Sequence, residues 1–278
     1  MAKMKIQISK DDFEQSILAA TSSHSEVFES VEPHFKESYL RLSQQILGEV
    51  GEAALETSDD LREAVIKAVC LDAFLGVVRH LDLVLTHTGF GVVANNEVTP
   101  ASSSRVEALI EQCRIALIVA QDTVMSHLTV VSGWGSTLQA QQGIQTVVWS
   151  MEGYCYLTRQ TSMTSKDWMS KLAAMQEADA TLRKLVSDEQ MDDIMCLVRG
   201  VREGNEFEGC VRLMLSRSLI MLANDMLSAY SNERARLLRY FDAHLDNFPI
   251  YADSSAYKAN HFKEFNNEKS KPAFVFNA

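Results

Sequence analysis

Apolar side chains recur at helical spacing along most of the chain. One series begins at Leu61 and returns every three or four residues as far as Leu85, and a second extends from Val106 to Val131. This interval places the apolar residues on one face of an α-helix, which a neighbouring helix must cover. The pattern therefore predicts an all-α fold, a multi-helix bundle of long antiparallel helices.

Side chains that accept hydrogen bonds from exposed helix amides mark where several of these helices begin. An acidic residue in the first helical turn, just after such a capping residue in the sequence, interacts favourably with the positive end of the helix. The starting pairs are Ser58 with Asp59, Ser104 with Glu107, Thr164 with Asp167, and Ser187 with Gln190. They predict where four of the helices start.

Two further helices are predicted in the second half of the chain. Apolar spacing continues over 137–160 and again from about Asn205 to Asn247. A continuous helix over the second range would span on the order of 60 Å. Pro249 is expected to end it, because proline lacks the amide that a helix interior requires.

The predicted helices divide the chain into three parts. Residues 1–25, in which Met4, Ile6 and Ile8 alternate with polar residues, are predicted as an N-terminal arm. Residues 26–247 are predicted as the helical domain, either one unit or two related halves, 26–135 and 136–247. Residues 248–278 show no helical stripe and are predicted as an extended C-terminal tail.

Two segments stand out as candidate interaction elements. Residues 86–104 are rich in Gly, Asn and Ser, which predicts a long protruding loop, and loops of this length are often functional. The tail carries phenylalanines in a polar context, where they either pack on their own domain or reach a neighbouring chain. The candidate interaction residues are Phe90, Asn95, Asn96, Phe262, Phe265, Phe274 and Phe276.

The charge and the cysteine content of the chain argue against several classes of function. The formal net charge is −11, from 26 Lys and Arg against 37 Asp and Glu, which argues against a nucleic-acid-binding groove. The five cysteines are scattered singly and are expected to be buried free thiols in a reducing cytoplasm. No signal peptide and no membrane-spanning segment is expected.

Candidate chemistry is sparse. The histidines lack the spacing to Glu or to another His that helical metal sites need, so no metal, no cofactor and no catalytic residue is predicted. An acidic run around residues 188–193 is either a cation-binding cluster or, as we favour, a solvated helix start. A set of arginines is either ordinary surface pairing or a contact stripe for an acidic partner. The arginines are Arg212, Arg217, Arg234, Arg236 and Arg239.

A resemblance is carried by residues 83–93 and 100–106, together with 28–33 and 47–49. These segments resemble an uncharacterised family of virion proteins in tailed phages of gut bacteria. That family is similar in layout to head–tail connector (adaptor) proteins. The resemblance covers roughly residues 25–245 and brings no catalytic residues with it.

The resemblance implies a structural virion subunit, made in the host bacterial cytoplasm, that forms an oligomeric ring at the portal vertex. Its implied partners are further copies of the chain, the portal, and tail or neighbouring connector proteins. DNA would pass through the ring without specific binding, and no membrane is involved. A negative charge suits such a passage, because it does not hold phosphates.

Two other interpretations stay open. One is an α-helical enzyme or small-ligand-binding domain whose pocket is lined by aromatic side chains. The pocket residues would be Trp134, Trp149, Tyr154 and Trp168. The other is a bacterial regulatory or scaffold protein.

Overall fold

A computed structural model describes residues 4–17, 26–81, 83–86, 89–92 and 102–262. Within these ranges the chain is a multi-helix protein, as predicted, with one pair of short strands between the fourth and fifth helices. The elements are α1 (Lys10–Ser16), α2 (Glu26–Leu42), α3 (Gly48–Ala54), α4 (Asp59–Val77), β1 (Leu83–Thr86), β2 (Gly89–Val92), α5 (Ser103–Leu128), α6 (Leu138–Gly143), α7 (Met151–Thr158), α8 (Ser165–Val186), α9 (Asp188–Val198), α10 (Glu206–Ala223), α11 (Leu227–Ala243), α12 (Pro249–Asp253) and α13 (Ser255–Asn260).

Helix α4 is the centre of the first half and packs against α1, α2 and α5. It begins as predicted, because Ser58 Oγ accepts a hydrogen bond of 3.3 Å from the Leu61 amide. The predicted Ser104–Glu107 capping box is wrong, since α5 begins at Ser103 with Ser102 at its N-cap. Glu107 instead forms an ion pair of 3.0 Å with Arg79.

The two strands pair antiparallel, with Leu83 opposite Val92 and Thr86 opposite Gly89. The predicted loop at 86–104 is therefore wrong for residues 89–92, which form the second strand of this hairpin, while the fold class is all-α as predicted. Runs of β-favouring residues that flank a tight turn favour such local pairing. Residues 93–101, with Asn95 and Asn96, lie outside the described residues.

The N-terminal segment is part of the core and not a separate arm. Ile6, Phe13 and Ile17 are buried, and α1 lies against α4. The Phe13 ring contacts Phe28 and Phe35, with centroids 5.8 and 6.0 Å apart. The prediction of an arm is wrong for residues 4–17, because their alternating apolar side chains find a surface on the first half of the bundle.

The predicted helix over 137–160 is interrupted. Helix α6 ends at Gly143, and an irregular buried stretch leads to α7. Long-range bonds satisfy its backbone: Arg199 Nε donates to the Ile144 carbonyl at 3.0 Å, and Asp122 Oδ2 accepts from the Met151 amide at 2.8 Å. These partners are distant in sequence, so local periodicity could not indicate the break.

The helix predicted from about Asn205 to Asn247 is not continuous, because the chain breaks between α10 and α11. Asp225 has a left-handed φ of 56°, and the Met226 amide donates to the Met221 carbonyl at 2.8 Å. The Asn224 side chain holds the break, since it accepts from Lys171 Nζ at 2.7 Å and donates to the Ile220 carbonyl at 2.7 Å.

The predicted extended tail is wrong for residues 248–260. Pro249 does not end a helix but begins α12, in the first turn, where its missing amide is harmless. Phe248 and Tyr251 are buried against Phe241, with ring centroids 4.8 and 4.4 Å apart. Asn260 Nδ2 donates to the Leu185 carbonyl at 2.9 Å, which fixes α13 to the end of α8. Residues 263–278 lie outside the described residues.

Candidate interaction surface

Several of the exposed apolar side chains lie on two separate surfaces of the described molecule. Tyr156 is 79% exposed beside a groove between α7 and α10, and Met226 is 51% exposed at the other end of that groove. Val130 and Leu138, 86% and 69% exposed, lie on the turns between α5 and α6. Apolar patches framed by polar residues mark interaction sites on soluble proteins.

We call the first surface the α7–α10 groove. It consists of two cavities of about 390 and 410 Å³ that share Leu157. Buried Val147 and Val148 line the first cavity, and Ile220 lines the second. The exposed apolar residues that line the groove are Tyr156, Leu213 and Met226.

Two arginines supply the charge of the groove. Arg212 lines the first cavity and Arg217 the second. Burial lowers the pKa of Arg212, and no carboxylate in the described chain forms an ion pair with either arginine. The groove is therefore apolar with two uncompensated positive charges, which favours a partner that carries apolar and acidic groups.

We call the second surface the turn patch, formed by Val130, Leu138 and Val201. Two close backbone approaches hold its segments together. Gly200 has φ of 74°, and a Cβ there would collide with the Thr129 carbonyl. A Cβ at Gly135 would collide with the Arg199 carbonyl and would lie 3.0 Å from Val201 Cγ2. Glycine is required at both positions. The turn around residues 129–138 and the turn around residues 199–201, together called the double turn, therefore pack rigidly against each other and carry the patch.

The predicted aromatic pocket is wrong in its membership. Trp134 is fully buried, and its indole nitrogen donates to the Ile46 carbonyl at 2.9 Å. Trp149 and Trp168 line another cavity of about 200 Å³, and Trp149 also lines the first cavity of the groove. Tyr154 packs edge-on against Trp168 with centroids 5.8 Å apart, but it lines the α7–α10 groove. The four aromatic residues do not share one cavity.

The cavity of Trp149 and Trp168 contains a buried carboxyl group, Asp122. Loss of solvation raises the pKa of Asp122 to about 7, and the charge of Glu152 raises it further, against the lowering effect of the Met151 amide. No lysine or arginine lines this cavity. Asp122 therefore has a carboxyl group with no cationic partner at the cavity wall.

The predicted charge clusters form ion pairs within the fold. Arg183 lies 2.7 Å from both Asp179 and Asp192, and Arg202 lies 2.6 Å from both Asp193 and Glu208. The acidic run at 188–193 is thus neutralised in part by two arginines. In the part of the chain that the structure describes, no group of three or more His, Cys, Asp or Glu is arranged to hold a metal.

The cysteines are free thiols, as predicted, but only Cys70 and Cys113 are buried. Burial raises the pKa of the Cys70 thiol to about 12. The other three are half-buried, because they lie at the edges of the helix faces that pack; they are Cys155, Cys196 and Cys210.

The candidate interaction residues are only partly described. Phe90 lies in β2 opposite Leu85, and Phe262 is 72% exposed just after α13. The others lie outside the described residues; they are Asn95, Asn96, Phe265, Phe274 and Phe276. Of the predicted arginine stripe, only Arg212 and Arg217 line the groove, and Arg236 lies 3.9 Å from Glu233.

Sequence reasoning missed both apolar surfaces. Tyr156 and Leu213 interrupt otherwise polar faces of their helices, and Val130 and Leu138 flank a stretch that has no charged residue. Apolar residues that fall outside the buried stripe were the available signal.

Comparison with known proteins adds one match. A family of unknown function (DUF6712) matches residues 32–137, from α2 to the turn before α6. No curated protein and no solved structure matches the chain. No helix in the described ranges is long and apolar enough to cross a lipid bilayer. The chain is thus similar over residues 32–137 to a family of unknown function.

Proposed function

We propose that the chain is a structural virion protein, a head–tail connector (adaptor) subunit that assembles into an oligomeric ring at the portal vertex. The observation that carries this proposal is the α7–α10 groove. It leaves Tyr156, Leu213 and Met226 in contact with water on a rigid framework. Covering such side chains is favourable by about 25 cal/mol per Å² of apolar surface, so the groove favours a protein partner.

The framework around the groove suits a subunit that keeps its shape in an assembly. Lys171 and Asn224 fix the end of α10, and Arg202 joins α9 to α10 through Asp193 and Glu208. Preformed interfaces lose less conformational entropy on association than flexible ones. The groove is therefore built like a contact surface between rigid subunits.

The charge supports passage of DNA without binding. The formal net charge of −11 repels phosphates, so a ring of such subunits would have a lumen that does not hold DNA. The partners proposed are further copies of the chain, the portal, and tail or neighbouring connector proteins. We propose no enzymatic role for the chain.

The experiment that tests this function is quantitative mass spectrometry of purified phage particles that carry the gene for this chain. We expect the chain in mature particles at a fixed, small multiple relative to the portal protein. Its absence from particles in which the portal protein is readily quantified would contradict the proposal.

A second candidate function is a small-ligand-binding domain, which the cavity of Trp149, Trp168 and Asp122 favours. A carboxyl group without a cationic partner, beside aromatic rings, suits a small organic cation. A thermal-shift titration with choline against its neutral isostere 3,3-dimethyl-1-butanol tests this idea. Stabilisation by the cation alone, lost in Asp122→Asn, would support it, and equal or no effect would count against it.

A further inference from the structure

The two apolar surfaces differ in shape. The turn patch is convex, since Val130 and Leu138 are 86% and 69% exposed, whereas the α7–α10 groove is concave, with cavities of about 390 and 410 Å³. None of the three patch residues lines the groove. We propose that the turn patch of one copy inserts into the α7–α10 groove of the next copy. This inference rests on the proposed function, and it names the surfaces that join neighbouring subunits.

The chemistry of the turn patch suits burial in such a groove. Residues 129–138 carry no charged side chain, so covering them removes no charge from water. The buried polar groups of these turns already have partners, since Trp134 donates to Ile46 and Thr137 Oγ1 donates to the Trp134 carbonyl at 2.7 Å. The cost of desolvation at the patch is therefore low.

Charge also favours this pairing. The groove carries Arg212 and Arg217 without carboxylate partners, and Glu203 lies two residues beyond Val201, exposed and in no ion pair of the described chain. The rest of a second copy is acidic, with a net charge of −11. A cationic groove attracts such a copy, whereas two grooves brought face to face would repel each other.

A contact between two different surfaces is heterologous. Each subunit then presents one free patch and one free groove, so addition continues, and the subunits form a ring when the rotation between neighbours closes and an open filament when it does not. A two-fold contact of groove on groove would stop at a dimer. The pairing of patch with groove is thus the kind of contact that a ring of identical subunits requires.

The test uses two double variants of the full chain. Val130→Lys with Leu138→Lys disables the patch, and Tyr156→Lys with Leu213→Lys disables the groove. Lysine is used in both, so that the two altered surfaces repel each other. Met169→Lys is the control, since Met169 is 62% exposed on α8 outside both surfaces. Circular dichroism melts establish that each variant is folded.

Light scattering and native mass spectrometry then give the masses. We expect an oligomer for the wild type and for Met169→Lys, and a monomer for each double variant alone. An equal mixture of the two double variants should form a dimer with one copy of each, because one intact patch meets one intact groove.

Three outcomes would overturn the inference. An oligomeric patch variant or an oligomeric groove variant would remove that surface from the contact. Two monomeric variants that do not combine would show that the surfaces do not meet each other, while the proposed function would stand if the wild type is oligomeric. A wild type that is monomeric at all concentrations would defeat the proposed function and the inference together.

Discussion

The indole Nε1–H of Trp134 donates a hydrogen bond of 2.9 Å to the backbone carbonyl of Ile46, 88 residues earlier. Ile46 belongs to a π-helical turn, Ser43–Leu47, that joins α2 to α3. The bond ties the double turn that carries Val130 and Leu138 to the first half of the bundle. The exposed patch is therefore held in place by Trp134, a fully buried side chain.

Replacing Trp134 by phenylalanine should weaken both the fold and the patch. The variant leaves a buried carbonyl at Ile46 without a donor, which costs about 1–3 kcal/mol, and the smaller ring leaves a cavity. Urea unfolding followed by circular dichroism measures the loss. Trp149→Phe is the matched control, because Trp149 is only partly buried, and it should lose less. Equal losses would contradict the anchoring role.

Gly200 should not tolerate alanine. Its φ of 74° disfavours a side chain, and a Cβ would collide with the Thr129 carbonyl. We expect Gly200→Ala to lower the free energy of unfolding by more than about 1 kcal/mol. Gly76→Ala is the control, because Gly76 is exposed in α4 with nothing within 4 Å of its Cβ position, and it should raise stability by about 0.5–1 kcal/mol. An unchanged free energy of unfolding for Gly200→Ala would contradict the close approach of Gly200 to the Thr129 carbonyl.

Asp122 should make stability depend on pH. Its folded pKa, about 7, lies above the ordinary value of 3.8, so the folded state binds the proton more tightly and stability falls as pH rises between these values. Asp122→Asn keeps an acceptor for the Met151 amide but carries no charge. At pH 8 it should be more stable than the wild type by on the order of 1–4 kcal/mol.

The gain from Asp122→Asn should shrink as the pH is lowered through this window to 4. Thermal melts at several pH values measure it, with the exposed Asp246→Asn as the control variant. A gain that is the same at pH 4 and pH 8 would show that the carboxyl group is not the source.

The link between α9 and α10 should depend on Arg202. Arg202 lies 2.6 Å from Asp193 and from Glu208, and this arginine lowers the pKa of Glu208. A lowered carboxyl pKa stabilises the fold above the ordinary pKa, and that stabilisation is lost as the pH falls through the folded value. Arg202→Gln should therefore cost about 1–3 kcal/mol at pH 7 and less at acid pH. Denaturant melts at pH 7 and pH 3 decide this, and an equal cost at both would contradict it.

The features that the sequence predicted correctly are those that depend on residues close together in the chain. Ser58 and Thr164 begin their helices as expected, because a capping side chain acts within three residues. The break at Asn224 was not predicted, since it depends on Lys171 and Tyr154, which reach Asn224 only in the folded chain. The burial of Phe248 and Tyr251 was missed for the same reason, because their partner Phe241 and the Gln190 side chain come from other elements.

The residues of the α7–α10 groove could likewise be predicted only in part from the sequence. The sequence singled out Arg212 and Arg217 by their charge, but it could not place them in a groove whose other wall, α7, lies more than fifty residues away in the chain. Apolar residues such as Tyr156 and Val130 look like core positions until the packing shows which side of the helix or turn is covered.

Light scattering together with negative-stain imaging of the purified chain, over a range of concentrations, gives its mass and shape and so tests ring formation. We expect a closed ring of one defined number of copies, reduced to monomers by Tyr156→Lys with Leu213→Lys. A wild-type chain that stays monomeric at every concentration, alone and with purified portal protein, would contradict it.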